Sequence, residues 1–332
     1  MNGFIDLHCD TIYKLRMARK EGKQVGLRSR EGHIDLLRLK EAGYWMQTFA
    51  AFVDLGEEKD PALAAMELID IFYQEMEANK DLIRPVTTAD QVIENQKNGL
   101  LSALLSIEEG GVCRGNLALL RNFYRLGVRM MTLTWNYENE LGWPNTVIEG
   151  GGEYLGRNNT EHGVKERGFE FLSEMERLGM LIDVSHLSDA GFYQVYDHTT
   201  KPFIASHSNA RAVCSHVRNL TDDMIRKIAE RGGLTGINLC ASFTAEAATE
   251  EETRGTVEGL VGHIRHIADV GGIGCIGLGT DYDGIGDRVE LSHCGKMPLL
   301  VDGLKKAGFH ESEIGAICHN NVLRVMKDVL KD

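Results

Sequence analysis

Short apolar runs alternate along the chain with stretches whose apolar residues recur every three or four positions. The runs occupy residues 4–10, 44–53, 100–108, 129–135, 180–186, 202–208, 234–239 and 275–281, eight in all. Runs of this length, rich in Ile, Val, Leu and Phe, read as strands buried on both faces. The intervening stretches 62–76, 117–126, 165–178 and 221–231 read as amphipathic helices, with Leu63, Met66, Ile69 or Asp70, and Tyr73 as the apolar stripe of the first. Thr221-Asp222-Asp223 opens a helix with capping residues, and Gly127, Gly179 and Gly308 stand where helices end.

Strand–helix alternation implies parallel strands joined by right-handed crossovers. Eight such units average about 41 residues, which suits a closed (β/α)8 TIM barrel. A doubly wound open sheet is the alternative, but no Gly-x-Gly-x-x-Gly turn follows the first strand. No interdomain linker, repeat or low-complexity tract is visible, so residues 1–332 read as one barrel domain. Two connections are long: 136–160, which contains Glu149-Gly-Gly-Gly-Glu153, and 241–255, which is acidic. Both follow strands, which places them on the C-terminal rim as candidate lids.

The strand ends change the picture. The first run closes on His8 and Asp10, which share one face of a strand while Cys9 points away. The third closes on Glu108 and Glu109, the fifth on His186, the sixth on His207, and the eighth on Asp281 with Asp283 behind it. A single histidine at a strand end is usually a hydrogen-bonded rim residue. Five of eight strand ends carrying metal-type ligands, all at one rim, call for a cation. Imidazole and carboxylate without thiolate suit Zn²⁺ or a neighbouring divalent ion. Three histidines and two or three carboxylates exceed one tetrahedral ion. They fit two Zn²⁺ ions sharing a carboxylate, about 3.5 Å apart, with a metal-bridging hydroxide as nucleophile, which is the chemistry of metal-assisted hydrolysis.

His8-x-Asp10, Ser106-Ile-Glu108, Asp183-Val-Ser-His186, Ala205-Ser-His207-Ser and Gly279-Thr-Asp281-Tyr-Asp283-Gly together resemble the membrane (renal) dipeptidase family of binuclear zinc peptidases. The likeness extends through Leu126-Gly-Val-Arg-Met-Met-Thr-Leu-Thr and Arg218-Asn219 to nearly the whole chain. The resemblance implies a soluble, microbial-type metallo-dipeptidase. It implies that His8 and Asp10 bind one zinc, that His186 and His207 bind the other, and that Glu108 bridges them. Glu109, the rival for the bridge, is expected to point outward as a solvated rim charge. The resemblance further implies that Arg218 and Asp281 hold the two ends of a small dipeptide, that a D-residue is tolerated at its C-terminal side, and that the protein is a homodimer. A dipeptide is a zwitterion, so a cation and an anion at its two ends make chemical sense; Asp281 could also pass a proton to the leaving amine. The chain departs from the family where many relatives carry a histidine after Leu-Thr, for here stand Trp135 and Asn136. Either could contact substrate as a neutral donor, and Trp135 could equally be rim packing.

Other readings stay open. One is a deacylase or lactonase on the same scaffold, and another is a non-catalytic metal-binding protein, which would need neither Arg218 nor Asp281. Asp6 and Asp183 are candidate partners for the ligating imidazoles. His162, His198, His216, His263, His266, His310 and His319 read as surface or capping groups. The net charge of -13 lacks the basic stretches that would track a phosphate backbone, so no nucleic-acid partner is expected. No apolar run reaches the roughly 18 residues that span a bilayer, and no leader pattern precedes the first strand, so no membrane association is expected. Seven scattered cysteines fit reduced thiols and a cytoplasmic setting.

Overall fold

The computed structural model describes residues 3–145, 158–247, 249 and 252–331. Nine parallel strands form its sheet: β1 Phe4–Asp6, β2 Tyr44–Phe52, β3 Ile83–Val86, β4 Leu101–Glu108, β5 Val128–Thr132, β6 Leu181–Asp183, β7 Ile204–Ala205, β8 Leu234–Ile237 and β9 Ile276–Leu278. Hydrogen-bonded neighbours run β2-β1-β9-β8-β7-β6-β5-β4, and β2 pairs with β4 to close the ring. The result is an eight-stranded (β/α)8 barrel. The ninth strand, β3, is not foreseen by the sequence reading. Its pattern is short and half polar, with Arg84 and Pro85 exposed, and it pairs only with the first half of β4 as an added edge.

Helices follow the strands as expected. Thr221 caps Asp222–Glu230 by accepting from the Met224 amide, and Gly179 ends Glu166–Leu178 at φ 78°. The helix Pro61–Ala78 has the right period and the wrong phase. It buries Ala64, Ala65, Leu68, Ile69, Phe72 and Met76, whereas Leu63 (57% exposed), Met66 and Tyr73 face outward. With apolar residues on more than one side, its pattern does not choose the buried face.

The floor of the barrel is sealed. Ile5, Met46, Leu104, Met130, Leu181, Ile204 and Leu234, one from each of seven strands, form a cluster with Val322, Val325, Met326 and Val329 of the helix Asn321–Val329. Burying a side chain of this size contributes about 1.5–3 kcal/mol, so the floor is firmly held and polar groups collect at the opposite end. Of the two long rim connections, 241–255 contains a short helix, Ala241–Thr244. The glycine-rich part of 136–160, including Glu149–Glu153, lies outside the described residues.

Candidate active site

Several strands stop earlier than their apolar runs suggest, and apart from Glu108, which closes β4, the chemistry-bearing residues sit just beyond them. β1 ends at Asp6, so His8 and Asp10 are not strand neighbours. The segment continues beside 279–282 instead: Asp281 N–H donates to the His8 carbonyl (3.2 Å) and Asp10 N–H to the Tyr282 carbonyl (2.9 Å). Cys9 still turns away into the apolar core. Glu109, His186, Asp281 and Asp283 adopt φ between 62° and 91°, a region that residues other than glycine rarely occupy. Such backbone clusters where side chains must be aimed at a site. Gly279 permits a close approach here, since a Cβ on it would lie 1.8 Å from the Ser206 carbonyl oxygen.

These turns bring the distant candidate ligands together. Glu108 at the end of β4 lies at the centre. Its Oε2 is 3.1 Å from His8 Nε2, and its Oε1 is 3.2 Å from His186 Nε2 and 3.5 Å from His207 Nε2. His8 Nε2 is also 3.8 Å from Asp10 Oδ2 and 4.0 Å from Asp281 Oδ1. Asp10 heads the helix Thr11–Lys20 yet makes no side-chain cap, because its carboxylate is turned into the cluster. His8, His186 and His207 are all buried. Burial opposes charge on His8, but Glu108 and Asp10 together outweigh it and raise its pKa. Burial likewise opposes charge on Glu108, and the charge on neighbouring His8 is the chief influence against it, holding its carboxyl well below the usual range.

Hydrogen bonding fixes what the imidazoles offer. His186 Nδ1 is 2.9 Å from Asn136 Oδ1. His207 Nδ1 is 2.7 Å from Ser206 Oγ, which donates in turn to Asp183 Oδ2 at 2.5 Å. Assigned from this network, both Nδ1 atoms carry hydrogens and both Nε2 atoms are bare lone pairs. Those Nε2 atoms face each other at 3.0 Å beside the Glu108 carboxylate. Both ring nitrogens of His8, and Asp10 Oδ1, are buried without a hydrogen-bond partner. Buried polar atoms converging without partners are costly, and cations held by the carboxylates and imidazoles relieve the cost. His8, Glu108 and His207 form one group spaced to hold an ion, and His8, Asp10 and Asp281 another, each with ligand atoms within 4.8 Å of one another. A Cβ on Gly284 would fill the cradle, lying 2.1 Å from Asp10 Oδ2 and 2.7 Å from Asp281 Oδ1. The donor set therefore fits a metal centre.

Beside the cluster stands a cation without a counterion. Arg218 is 5% exposed, and among the described residues no carboxylate forms an ion pair with it. Its Nη1 and Nη2 donate only at 3.4 and 3.5 Å, to Ser208 Oγ and the His207 carbonyl, and Nε has no partner. Asp281 Oδ2 accepts from Asn238 Nδ2 at 2.9 Å, which leaves Oδ1 facing the cluster.

The comparisons with known proteins agree with this geometry. The membrane dipeptidase profile (peptidase family M19) matches residues 2–331. The chain belongs to this family. An uncharacterised dipeptidase of Schizosaccharomyces pombe is 30% identical over 97% of this chain and 79% of its own length. The crystal structure of a metallopeptidase of the same family, titled dipeptidase AC, superposes with a TM-score of 0.91 at 25% identity, covering 99% of this chain and 98% of that one. A Rhodobacter sphaeroides metallopeptidase, liganded with a phosphinate mimic of the dipeptide L-Ala-D-Ala, shares the fold with a TM-score of 0.88 at 24% identity, over 98% of this chain and 99% of that one. This protein is accordingly a metallo-dipeptidase. No helix among its described residues is long and apolar enough to cross a membrane.

Within this membrane dipeptidase family member several site residues differ from expectation. Glu109 is no rim charge. It is fully buried, accepts from the Gly111 and Trp135 amides and from Asn139, and burial pushes its carboxyl up to about 7. The left-handed turn at Glu109 swings its side chain under the Leu133–Asn139 segment rather than outward. Asn136 spends its carbonyl on His186. Trp135 lies against Phe52, with ring centroids 4.9 Å apart, and 6.2 Å from the His186 ring. Asp183 reaches His207 through Ser206, whereas Asp6 accepts from the His8 amide and from Thr280, not from a ring nitrogen. His263 is buried between the Ala210 amide and the Thr244 carbonyl, not a surface group. The sequence reading misses Asn238 and the largely buried Asp189–Arg211 pair (2.7 and 2.9 Å), which anchors the strap carrying Arg218. None of these belongs to a histidine motif, so only proximity in the fold reveals them.

Proposed function

We propose that this protein hydrolyses dipeptides at a two-metal centre, with His8 and Asp10 on one ion, His186 and His207 on the other, and Glu108 shared between them. Imidazole nitrogen and carboxylate oxygen as the whole donor set make zinc the natural occupant. When bound, such a pair supplies Lewis acidity and a water acidified toward neutral pH. The remaining work falls to the chain's own residues.

The observation that carries the reading is Arg218, a buried guanidinium with weak, long hydrogen bonds, next to a cluster of bare acceptors. An arginine left this way is set to receive a carboxylate as a two-pronged ligand. The C-terminal carboxylate of a dipeptide is the simplest group that would place a peptide bond over Glu108. Asp281, held through Oδ2 by Asn238, presents Oδ1 to the same space. There it can attract the substrate ammonium, take the proton released as water attacks, and return it to the departing amine. Asn136 orients His186 through Nδ1 and keeps its Nδ2 for the substrate. Recognition by the two termini does not read the handedness of the C-terminal residue, so an L-D dipeptide of the kind mimicked in the R. sphaeroides structure is within scope. Each of the seven cysteines is free, which supports a reducing, cytoplasmic setting.

The test is turnover of L-L and L-D dipeptides by the zinc-loaded protein, set against the same dipeptides with an amidated C-terminus. The reading expects hydrolysis of the free acids and a large loss on amidation. Equal turnover of both forms, or of neither, contradicts it.

A further inference from the structure

Around the closed sheet, Phe52 ends β2 and Trp135 follows β5, on either side of β4, which ends in Glu108. Phe52 pairs in register with Glu108 itself. Arg218 sits in the strap after β7, across the mouth. From His186 the rings continue outward: Trp135 at 6.2 Å, Phe52 on Trp135 at 4.9 Å, Tyr13 on Phe52 at 5.1 Å and Tyr137 on Trp135 at 5.8 Å. All four aromatic residues are only partly buried, so the wall they form offers apolar surface. Trp135 is fixed from below, since its amide donates to the buried Glu109 at 2.9 Å.

We infer that Trp135, Phe52 and Tyr13 form the subsite for the side chain of the substrate's N-terminal residue and select bulky uncharged, above all aromatic, side chains. This rests on the dipeptidase reading. With the C-terminal carboxylate on Arg218, the other residue of the substrate extends over Glu108 toward the far side of the mouth, where the wall stands. Aromatic side chains offset or edge-on to such rings gain contact beyond simple burial. A wall open on one side gives less discrimination than a closed pocket, so the expected preference is roughly tenfold rather than several hundredfold.

The experiment uses the zinc-loaded full chain and the series Gly-Ala, Ala-Ala, Leu-Ala, Phe-Ala, Glu-Ala and Arg-Ala, each with L- and D-alanine. For the wild type, kcat/KM should climb from Gly to Phe by about tenfold, with Phe above both charged residues. In Trp135→Ala the Phe-to-Gly ratio should fall to within about threefold; Phe52→Ala reads the same wall if the first variant does not fold. Turnover without a size trend, or Arg or Glu outranking Phe, overturns the subsite and leaves the dipeptidase reading standing. No turnover of any member of the series overturns both.

Discussion

His186 Nε2 and His207 Nε2 face each other at 3.0 Å, with the hydrogens of both rings drawn to the opposite side by Asn136 and Ser206. Two lone pairs at this distance, next to a carboxylate, repel. A positive charge held between them relieves that repulsion, and each outer partner helps to define that charge's site.

Removing an outer partner should therefore loosen the metal without removing a ligand. Asn136→Ala frees His186 Nδ1 and is expected to weaken metal affinity by about 10–100-fold. Competition with a chromogenic chelator measures this directly; unchanged affinity would show that Asn136 does not orient the ring.

Arg218→Lys keeps the positive charge but loses the planar fork. Hydrogen bonds to charged groups are worth about 1.5–3 kcal/mol, so kcat/KM for dipeptides should fall by about 10–150-fold. Metal content should stay at the wild-type level. A variant with wild-type kinetics would remove Arg218 from substrate binding.

The Asp189–Arg211 pair is largely buried and bidentate, and Asn145 also donates to Asp189, at 2.8 Å. Breaking one side leaves the other charge uncompensated. Arg211→Met should cost about 3–5 kcal/mol of unfolding free energy, measured by urea denaturation, and should also raise KM because the Arg218 strap loses its anchor. A loss below about 1 kcal/mol would mean that the pair is effectively solvated.

His263 supplies a pH prediction remote from the metal cluster. Burial, reinforced by nearby His266, lowers its pKa from 6.5 to about 4, against the pull of its bond to the Thr244 carbonyl. Its folded-state pKa is depressed, so the unfolded chain binds the proton first. The stabilisation is complete above pH 6.5, erodes as the pH falls, and is gone below about 4, a span worth about 3 kcal/mol. In His263→Gln the fall in stability between pH 7 and pH 4 should be smaller by that amount, as read from paired urea titrations. Parallel curves for wild type and variant would contradict the assignment.

Much of this candidate site is legible in the sequence because its histidines and carboxylates follow apolar runs that all point to one end of a barrel. His8, His207 and Asp281 could be named from that pattern alone, and Glu108 only as one of an adjacent pair with Glu109. The pattern fails where geometry depends on a turn. The apolar runs overshoot the strands at His8, His186 and Asp281, because left-handed turns and backbone pairing outside regular ladders leave no periodic trace. Glu108 and Glu109 are adjacent identical residues, and only a φ of 91° at the second decides which one faces the cluster. The helix Pro61–Ala78 shows the related limit for packing, since a period is readable where a phase is not. β3 is hidden because half of it faces solvent.

The most direct measurement is the metal stoichiometry of the purified chain after equilibrium dialysis against zinc, read by elemental analysis, for the wild type and Glu108→Gln. Two ions per wild-type chain, with loss of at least one in the variant at unchanged fold, is the predicted result. A wild-type chain that retains no zinc, or a variant that still holds two ions as tightly, would contradict the shared-carboxylate centre.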